Sequence, residues 1–294
     1  FLRERIGKLL RDLEGLIYTD ETPVSGFRYV QSAEKFPDVS KVNTDDWAYC
    51  DRYPMSWGGH RAYYWFETFV TIPEEMDGQC VVYEQTTGKE DGWDATNPQF
   101  TIYVNNVLKQ GLDINHREVL LTEHAKAGER YRIMLSAFTG DHNMNLVLDA
   151  RIKVLHRETE KYYYDLKMPY DTACLLRESD TEYRDIILNL NESLNLLDLR
   201  KPYSEAYEKS LKAAQDYLDQ EFYERYAGVA RQKVYCVGHT HIDVAWKWTL
   251  AVTEDKAVRS FSTVLELMRQ YPEYKFMSSQ PQLYKYVKKN APQV

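Results

Sequence analysis

The stretch "VYCVGHTHIDVAWKW", Val234 to Trp248, places two histidines, an aspartate and two tryptophans directly after a short apolar run. Such a run is typical of a strand in a parallel sheet, and polar groups that follow such strands meet in a crevice at the edge of the sheet. If the chain stays extended, His239, His241 and Asp243 point the same way, because strand side chains alternate. Two imidazoles and a carboxylate suit Zn²⁺. The alternative is a hydrogen-bonded, polar end of a buried strand.

The residues around this stretch predict the beginning of a parallel α/β unit. "KVYCVG" is typical of a strand, "EDKAVRSFSTVLELMRQY" of an amphipathic helix, "KFMSS" of a second strand and "PQLYKYVKK" of another helix. A closed α/β barrel typically takes roughly 250 residues, so we expect at most two of its βα repeats here. Cys236 lies inside the first strand, where we expect a buried, inert thiol.

The region from 18 to 157 has a different pattern, of short β-rich segments separated by turns. "YYWFETFVTI", "CVVYEQTT", "YRIMLSAF" and "NLVLDARIKVL" are examples, and "FTIYVNNVLKQG" predicts a hairpin because asparagine tolerates the positive φ of tight turns. Six or more such strands without helices between them predict an antiparallel β-sandwich of jelly-roll type.

Helical patterns flank this predicted sandwich. The first 17 residues, "FLRERIGKLLRDLEGLI", carry apolar residues at helical spacing. After it, "YRDIILNLNESLNLLDL" and "YSEAYEKSLKAAQDYLDQEFYERY" predict a helical hairpin, with Ser204 capping the second helix. We therefore predict four parts: an N-terminal helix (1–17), the sandwich (18–157), a helical linker (158–230) and the start of an α/β barrel (231–294).

Composition excludes several classes of function. The 294 residues are 44% hydrophobic, which is ample for a packed core. The formal charge of −8 arises from interspersed acids and bases, so a nucleic acid is not an expected partner. No apolar run reaches the roughly 18 residues of a membrane span, so no membrane partner is expected. The four cysteines form no CxxC pair, which favours a reducing, cytoplasmic location.

Beyond these patterns, several sequence motifs resemble those of a known family. "VGHTHIDVAWKW", followed in order by "RSFSTVLELM", "YPEYKF" and "SSQPQLY", resembles the start of the catalytic domain of the glycoside hydrolase family 38 α-mannosidases. Upstream, "IPEEMDGQCVVYE", "YVNNVLKQGLDINHREVLL" and "YYYDLKMPYDTA" resemble the N-terminal sandwich and helical linker of bacterial and cytosolic-type members. The resemblance implies the N-terminal portion of such an enzyme, ending within a (β/α)7-type barrel.

The resemblance also implies roles for single residues. His241 and Asp243 match two of the family's Zn²⁺ ligands, and Trp246 matches the tryptophan that lines the sugar subsite. His239 matches a position that is not a ligand, so a supporting or structural role is expected for it, against the alternation argument above. The nucleophile, the acid and the other two ligands lie later in the family's barrel. We therefore expect no catalytic residue in this chain.

The implied activity is zinc-dependent, retaining hydrolysis of terminal α-linked mannose in glycans. Some family members form homo-oligomers, so the resemblance also implies a possible homo-oligomer. We expect this chain alone to be inactive and to hold zinc weakly or not at all. Two other hypotheses stay open. One is a metal-dependent amidohydrolase or deacetylase. The other is a non-catalytic carbohydrate-binding module in the sandwich, with Trp57 and Trp93 as exposed platforms for a sugar.

Overall fold

The structure is a computed structural model, and it describes residues 1–86, 89, 98–140, 144–227 and 233–294. The chain divides into two compact units. One unit combines residues 1–19 with 154–234, and the other combines 20–153 with 235–294. Within the described ranges, no helix has both the length and the apolar character needed to cross a membrane. The division into four parts predicted from the sequence stays a prediction.

The first unit is helical. Its elements are α1 (Leu2–Glu14), α2 (Arg157–Leu175), α3 (Thr181–Leu196), α4 (Glu205–Tyr217), a π-helical stretch (Leu218–Glu224) and α5 (Arg225–Ala227). The apolar stripe of α1 is buried, as its spacing predicts. Ser204 caps α4 by accepting a hydrogen bond from the backbone N–H of Tyr207, 3.3 Å away, which confirms the predicted helix start.

The sequence predicts a hairpin of two helices in this region, but the structure has three long helices between residues 154 and 234, and α2 is the one that was not predicted. Pro169 lies inside α2, and a proline normally indicates the end of a helix. The buried face of α2 is also hard to detect in the sequence, because it is rich in tyrosine, which is polar at one end. The hydroxyl group of Tyr162 contacts Ser193 Oγ at 2.8 Å, and Thr159 Oγ1 contacts the hydroxyl group of Tyr207 at the same distance. These buried polar pairs replace part of the apolar contact that an amphipathic pattern predicts.

Among the described residues, the sandwich region of the second unit contains two β-sheets. Their strands are β1 (Tyr18–Val24), β2 (Phe27–Gln31), β3 (Ala48–Cys50), β4 (Met55–Gly59), β5 (Tyr63–Thr71), β6 (Val81–Thr86), β7 (Gln99–Val104), β8 (Val107–Leu112), β9 (Glu118–Thr122), β10 (Arg130–Phe138) and β11 (Met144–Leu155), with short 3₁₀ turns at Val39–Lys41 and Glu74–Met76. One sheet has the order β1-β11-β6-β9, with β4 also paired to β11, and the other has the order β3-β2-β5-β10-β7-β8.

Antiparallel pairing dominates both sheets, for example between β5 and β10 and between β7 and β8. Asn105 and Asn106 join β7 to β8 with φ values of 49° and 69°, which confirms the hairpin predicted from these asparagines. Aromatic rings connect the two sheets: Trp57 on β4 lies 5.4 Å from Phe66 and 5.2 Å from Phe100, measured between ring centroids. The arrangement is therefore sandwich-like.

These contacts correct one expectation about the sandwich. Trp57 is only 7% exposed, so the hypothesis that it is an exposed platform for a sugar is wrong. The ring fills the space between the sheets, where apolar area is removed from water. Trp93, the other proposed platform, lies outside the described residues.

The second unit also contains the end of the chain. Here β12 (Gly238–His239) pairs in parallel with β13 (Phe276–Met277), α6 (Leu250–Gln270) connects them, and α7 (Pro281–Asn290) follows. This order confirms one βαβ unit. The barrel itself stays a prediction.

The first strand of this unit is shorter than predicted. Val234 and Tyr235 are 79% and 77% exposed, and Cys236 is exposed as well, so the prediction that its thiol is buried is wrong. The physical reason is the pairing: in the part of the chain that the structure describes, only Gly238 and His239 of this region are paired, and their partner is β13. A strand needs neighbours on its edges and faces to bury its side chains.

The helix α6 packs on the sandwich within the same compact unit. The backbone N–H of Gly111 on β8 donates to Thr263 Oγ1 at 3.0 Å, and the guanidinium group of Arg259 donates to Gln99 Oε1. Lys35 Nζ lies 2.6 Å from Asp255 Oδ1 at the edge of this contact. The sandwich therefore holds the helix that follows the candidate site.

Candidate functional site

The candidate site lies at the carboxyl end of β12. The backbone N–H of Gly238 donates to the carbonyl oxygen of Lys275 at 2.7 Å, and Gly238 and His239 are in register with Phe276 and Met277. Both strands of a parallel pair end at the same edge of the sheet, where loop side chains converge. The residues after His239 therefore occupy the place where α/β enzymes bind ligands.

The structure brings two of the predicted metal ligands together. His241 Nε2 lies 3.2 Å from Asp243 Oδ1, and the two side chains are 75% and 44% exposed. Imidazole nitrogen and carboxylate oxygen are both suitable donors for Zn²⁺. The pair therefore presents two donors on one side of the loop, facing solvent.

A complete zinc site needs more than this pair. Within the described ranges, no group of three or more histidine, cysteine, aspartate or glutamate side chains is arranged to hold a metal ion. A three-ligand cluster that includes His239 is thus not formed. The strand ends at His239, so strand alternation does not continue through His241 and Asp243. The donor set fits half of a tetrahedral zinc site.

Two tryptophans follow the donor pair. Trp246 is 50% exposed, and its ring lies 5.5 Å from that of Trp248 at an interplanar angle of 86°. Lys247 Nζ is 5.2 Å from the centroid of the Trp246 ring, and Lys256 Nζ is 4.5 Å from that of Trp248. Half of the Trp246 indole is therefore accessible to a ligand beside His241 and Asp243.

Thr253, on the first turn of α6, holds this loop in place, although the sequence patterns gave no indication of such a role. Its hydroxyl oxygen accepts hydrogen bonds from the backbone N–H of Ala245 at 3.2 Å and from Trp248 Nε1 at 3.0 Å, and the hydroxyl donates to the carbonyl oxygen of Thr249. Ala245 has a φ of 68°, which costs a non-glycine residue free energy unless its surroundings fix it. The fully buried Thr253 supplies that fixation.

A cavity of about 310 Å³ adjoins the donor pair. His239 and His241 line it together with Asp113 and His116 of the sandwich, which belongs to the same compact unit. His116 Nδ1 lies 3.1 Å from Asp113 Oδ1. Burial raises the pKa of the Asp113 carboxyl group, but hydrogen bonds from the His116 ring and from backbone N–H groups outweigh burial and hold this pKa below its ordinary value.

The sequence patterns do not predict a role for Asp113 or His116 in this site. The signal available there was "DINH", an aspartate two and three residues before N–H groups that its side chain can bind, which predicts only a local turn. Its position beside His239 and His241 depends on how α6 packs on β8. A local pattern carries no information about that packing.

Comparison with known proteins gives a family match for the region that contains the donor pair. Residues 231–294 match the family model described as Glycosyl hydrolases family 38 N-terminal domain. The match includes β12, the donor pair and α6.

Curated relatives match more of the chain. Alpha-mannosidase G of Dictyostelium discoideum is 25% identical over 100% of this chain and 27% of its own length. Alpha-mannosidase 2C1 of Homo sapiens is 27% identical over 78% of this chain and 22% of its own length. Alpha-mannosidase of Saccharomyces cerevisiae is 42% identical over 24% of this chain and 7% of its own length.

The chain thus spans about a quarter of the length of the first two of these relatives. The family match and the three relatives confirm the resemblance inferred from the sequence, which was to the N-terminal portion of a family 38 glycoside hydrolase.

Proposed function

We propose that this chain, whose residues 231–294 match the N-terminal domain of family 38 glycosyl hydrolases, is the N-terminal part of a zinc-dependent, retaining α-mannosidase. The observation that carries the proposal is the contact between His241 Nε2 and Asp243 Oδ1, 3.2 Å apart, at the carboxyl end of a parallel strand. The relatives named alpha-mannosidase support the choice of substrate class, terminal α-linked mannose.

In this proposal the chain's own residues prepare half of the active site. His241 and Asp243 are the residues that would hold Zn²⁺, each through one lone pair. When bound, the ion supplies a Lewis acid that binds sugar hydroxyl groups. The indole face of Trp246 offers an apolar surface for the C–H face of a sugar. His239 supports the donor pair from the last residue of β12.

Retaining hydrolysis needs two carboxyl groups roughly 5–5.5 Å apart, one as nucleophile and one as acid. We assign neither role to a residue of this chain. We also propose that the complete protein forms a homo-oligomer and is cytoplasmic. The second of these proposals is supported by the spacing of the four cysteines, which is not that of a CxxC pair.

The test measures zinc and activity together on the complete protein that contains this chain. We expect one bound zinc per active site and hydrolysis of an aryl α-mannoside, with both lost in His241→Ala and Asp243→Asn. His239→Ala keeps the zinc, with an affinity lowered by at most about 10–100-fold, the range for groups that support a ligand. The exposed His124 of the sandwich provides the control variant, His124→Ala, which keeps both properties.

Three outcomes would contradict parts of the proposal. Zinc retained at full affinity in His241→Ala removes that residue from the ligand set. Zinc with cleavage of amides instead of mannosides selects the amidohydrolase or deacetylase hypothesis. Turnover of the aryl mannoside by residues 1–294 alone, abolished by His241→Ala, shows that this chain already contains the acid and the nucleophile.

A further inference from the structure

The cavity beside the donor pair has walls from two distant parts of the sequence. His239, Thr240 and His241 form one wall, and the loop between β8 and β9, with Asp113 and His116, forms another. Its volume of about 310 Å³ lies at the lower end of the range for small-ligand sites, which runs from about 300 to 1,000 Å³. Both walls belong to one compact unit, so the cavity is a feature of that unit.

The loop between β8 and β9 has a fixed conformation. Asp113 Oδ1 accepts hydrogen bonds from the backbone N–H groups of Asn115 and His116, at 2.8 and 2.9 Å, and lies 3.1 Å from His116 Nδ1. The backbone N–H of Asp113 donates to the carbonyl oxygen of His116 at 2.9 Å. The carboxylate and the imidazole are thus presented together as a pre-arranged polar pair, which lowers the cost of ordering a ligand contact.

The position of this loop relative to the donor pair is also fixed. Gly111, two residues before Asp113, donates its backbone N–H to Thr263 on α6, and Arg259 of the same helix donates to Gln99 on β7. The first turn of α6 in turn holds the loop after the donor pair, through Thr253. One helix therefore connects both walls of the cavity.

The chemistry of the lining fits a sugar. A carboxylate accepts hydrogen bonds from hydroxyl groups, and an imidazole can donate to them or accept from them. The indole of Trp248 also lines the cavity and supplies apolar surface there, beside Lys256, whose Nζ lies 4.5 Å from the ring centroid. His241 lines the cavity, but Asp243 and Trp246 do not. A sugar held at the His241–Asp243 pair therefore lies at one end of the cavity, and the cavity extends from it towards Asp113 and His116.

We propose that the Asp113–His116 loop of the sandwich binds the sugar residue next to the mannose that is cleaved, on the leaving-group side. This inference rests on the proposed function and deepens it, because it assigns substrate recognition to the accessory sandwich. His116 and Asp113 select oligosaccharides whose second residue is a sugar with hydroxyl groups. They contribute nothing to an aryl leaving group, which has no hydroxyl groups to bind.

The experiment uses the complete protein and compares His116→Ala with the control His124→Ala. The substrates are an aryl α-mannoside and α-linked mannobioses. For the mannobioses, we expect kcat/KM to fall by about tenfold in His116→Ala, mainly through KM, which is the effect of losing one good hydrogen bond. For the aryl mannoside, we expect kcat/KM to stay within about twofold of wild type. The control changes neither value.

The loss of kcat/KM on the mannobioses relative to the loss on the aryl mannoside distinguishes a role of His116 in sugar recognition from a purely structural role. Equal losses on both substrates, or no loss on either, overturn the inference and leave the proposed function standing. A wild-type protein that cleaves neither substrate refutes the proposed function and the inference with it. If His116→Ala does not fold, His116→Gln takes its place under the same criteria, since it keeps a polar side chain without the imidazole.

Discussion

Substitution of Gly111 by alanine tests whether the sandwich and α6 form one folding unit. A Cβ atom at this position would lie 2.8 Å from Cβ of Arg259 and 3.3 Å from its Cγ and Cδ. Carbon atoms are normally in contact at about 3.5–4.0 Å, so the overlap is severe. The Cβ of Arg259 is fixed by the helix backbone, so the side chain cannot rotate away from the clash. Either α6 or β8 has to move.

The expected cost follows from this geometry. Adding one methyl group to a well-packed contact costs roughly 1–3 kcal/mol of the free energy of unfolding. Domains of about 150–250 residues lose about 2–4 °C in melting temperature for each kcal/mol, so we expect a decrease of about 2–12 °C. The movement also weakens the hydrogen bond from the Gly111 N–H to Thr263. We therefore expect the upper half of this range.

Tryptophan fluorescence is the appropriate assay. The described tryptophans all lie in the unit that contains Gly111, so their emission follows the unfolding of that unit by urea or heat; they are Trp47, Trp57, Trp65, Trp246 and Trp248. His124→Ala is the control, because this exposed side chain lies in the same unit as Gly111. If Gly111→Ala unfolds at the same urea concentration and temperature as wild type, the packing of α6 on β8 is not tight and this reasoning is wrong.

Two further predictions concern the Asp113 carboxyl group and the exposed first strand. Asp113 has a lowered pKa in the folded state, so its contribution to stability is present above the ordinary aspartate pKa of about 4 and is lost as the pH falls through the lowered value. Asp113→Asn should therefore cost roughly 1 kcal/mol at neutral pH, and its difference from wild type in urea midpoint should shrink in acid. The exposed Cys174 and Cys236 should react with a thiol reagent faster than the half-buried Cys50 and Cys80, as measured by peptide mass spectrometry. An unreactive Cys236 would show that its strand is covered.

The parts of the fold that depend on neighbouring residues were predictable from the sequence. The turn at Asn105 and Asn106 needs two residues that accept positive φ, and asparagine is one of the few that do. Ser204 caps α4 because its hydroxyl group reaches an N–H group three residues away. The contact between His241 and Asp243 is also local, since only one residue separates them.

Features that depend on distant partners could not be predicted. Cys236 belongs to an apolar run that is typical of a buried strand, but burial requires neighbouring strands. In the described structure the pairing begins only after this run, at Gly238 and His239. The binding-module hypothesis places Trp57 of "SWGG" at the surface as a platform for a sugar, yet it lies between two sheets. In both cases the residue type is compatible with a buried and with an exposed position, so it does not predict which one the side chain takes. The environment is decided by strand pairing far away in the sequence.

The contact between α6 and β8 changes how the sandwich itself should be regarded. The sequence suggested a separable accessory domain, and a direct test of sugar binding would express residues 18–157 alone. In the structure, Leu108 on β8 packs in one apolar cluster with Val258 and Ala291, and Gln99 contacts Arg259. Removing the βαβ unit would expose these apolar side chains to water and leave the buried polar group of Gln99 without its cation. Sugar binding by the sandwich is therefore best measured with the βαβ unit attached. Variants at Asp113 and His116 isolate the contribution of the sandwich to sugar binding, which a truncated sandwich cannot do.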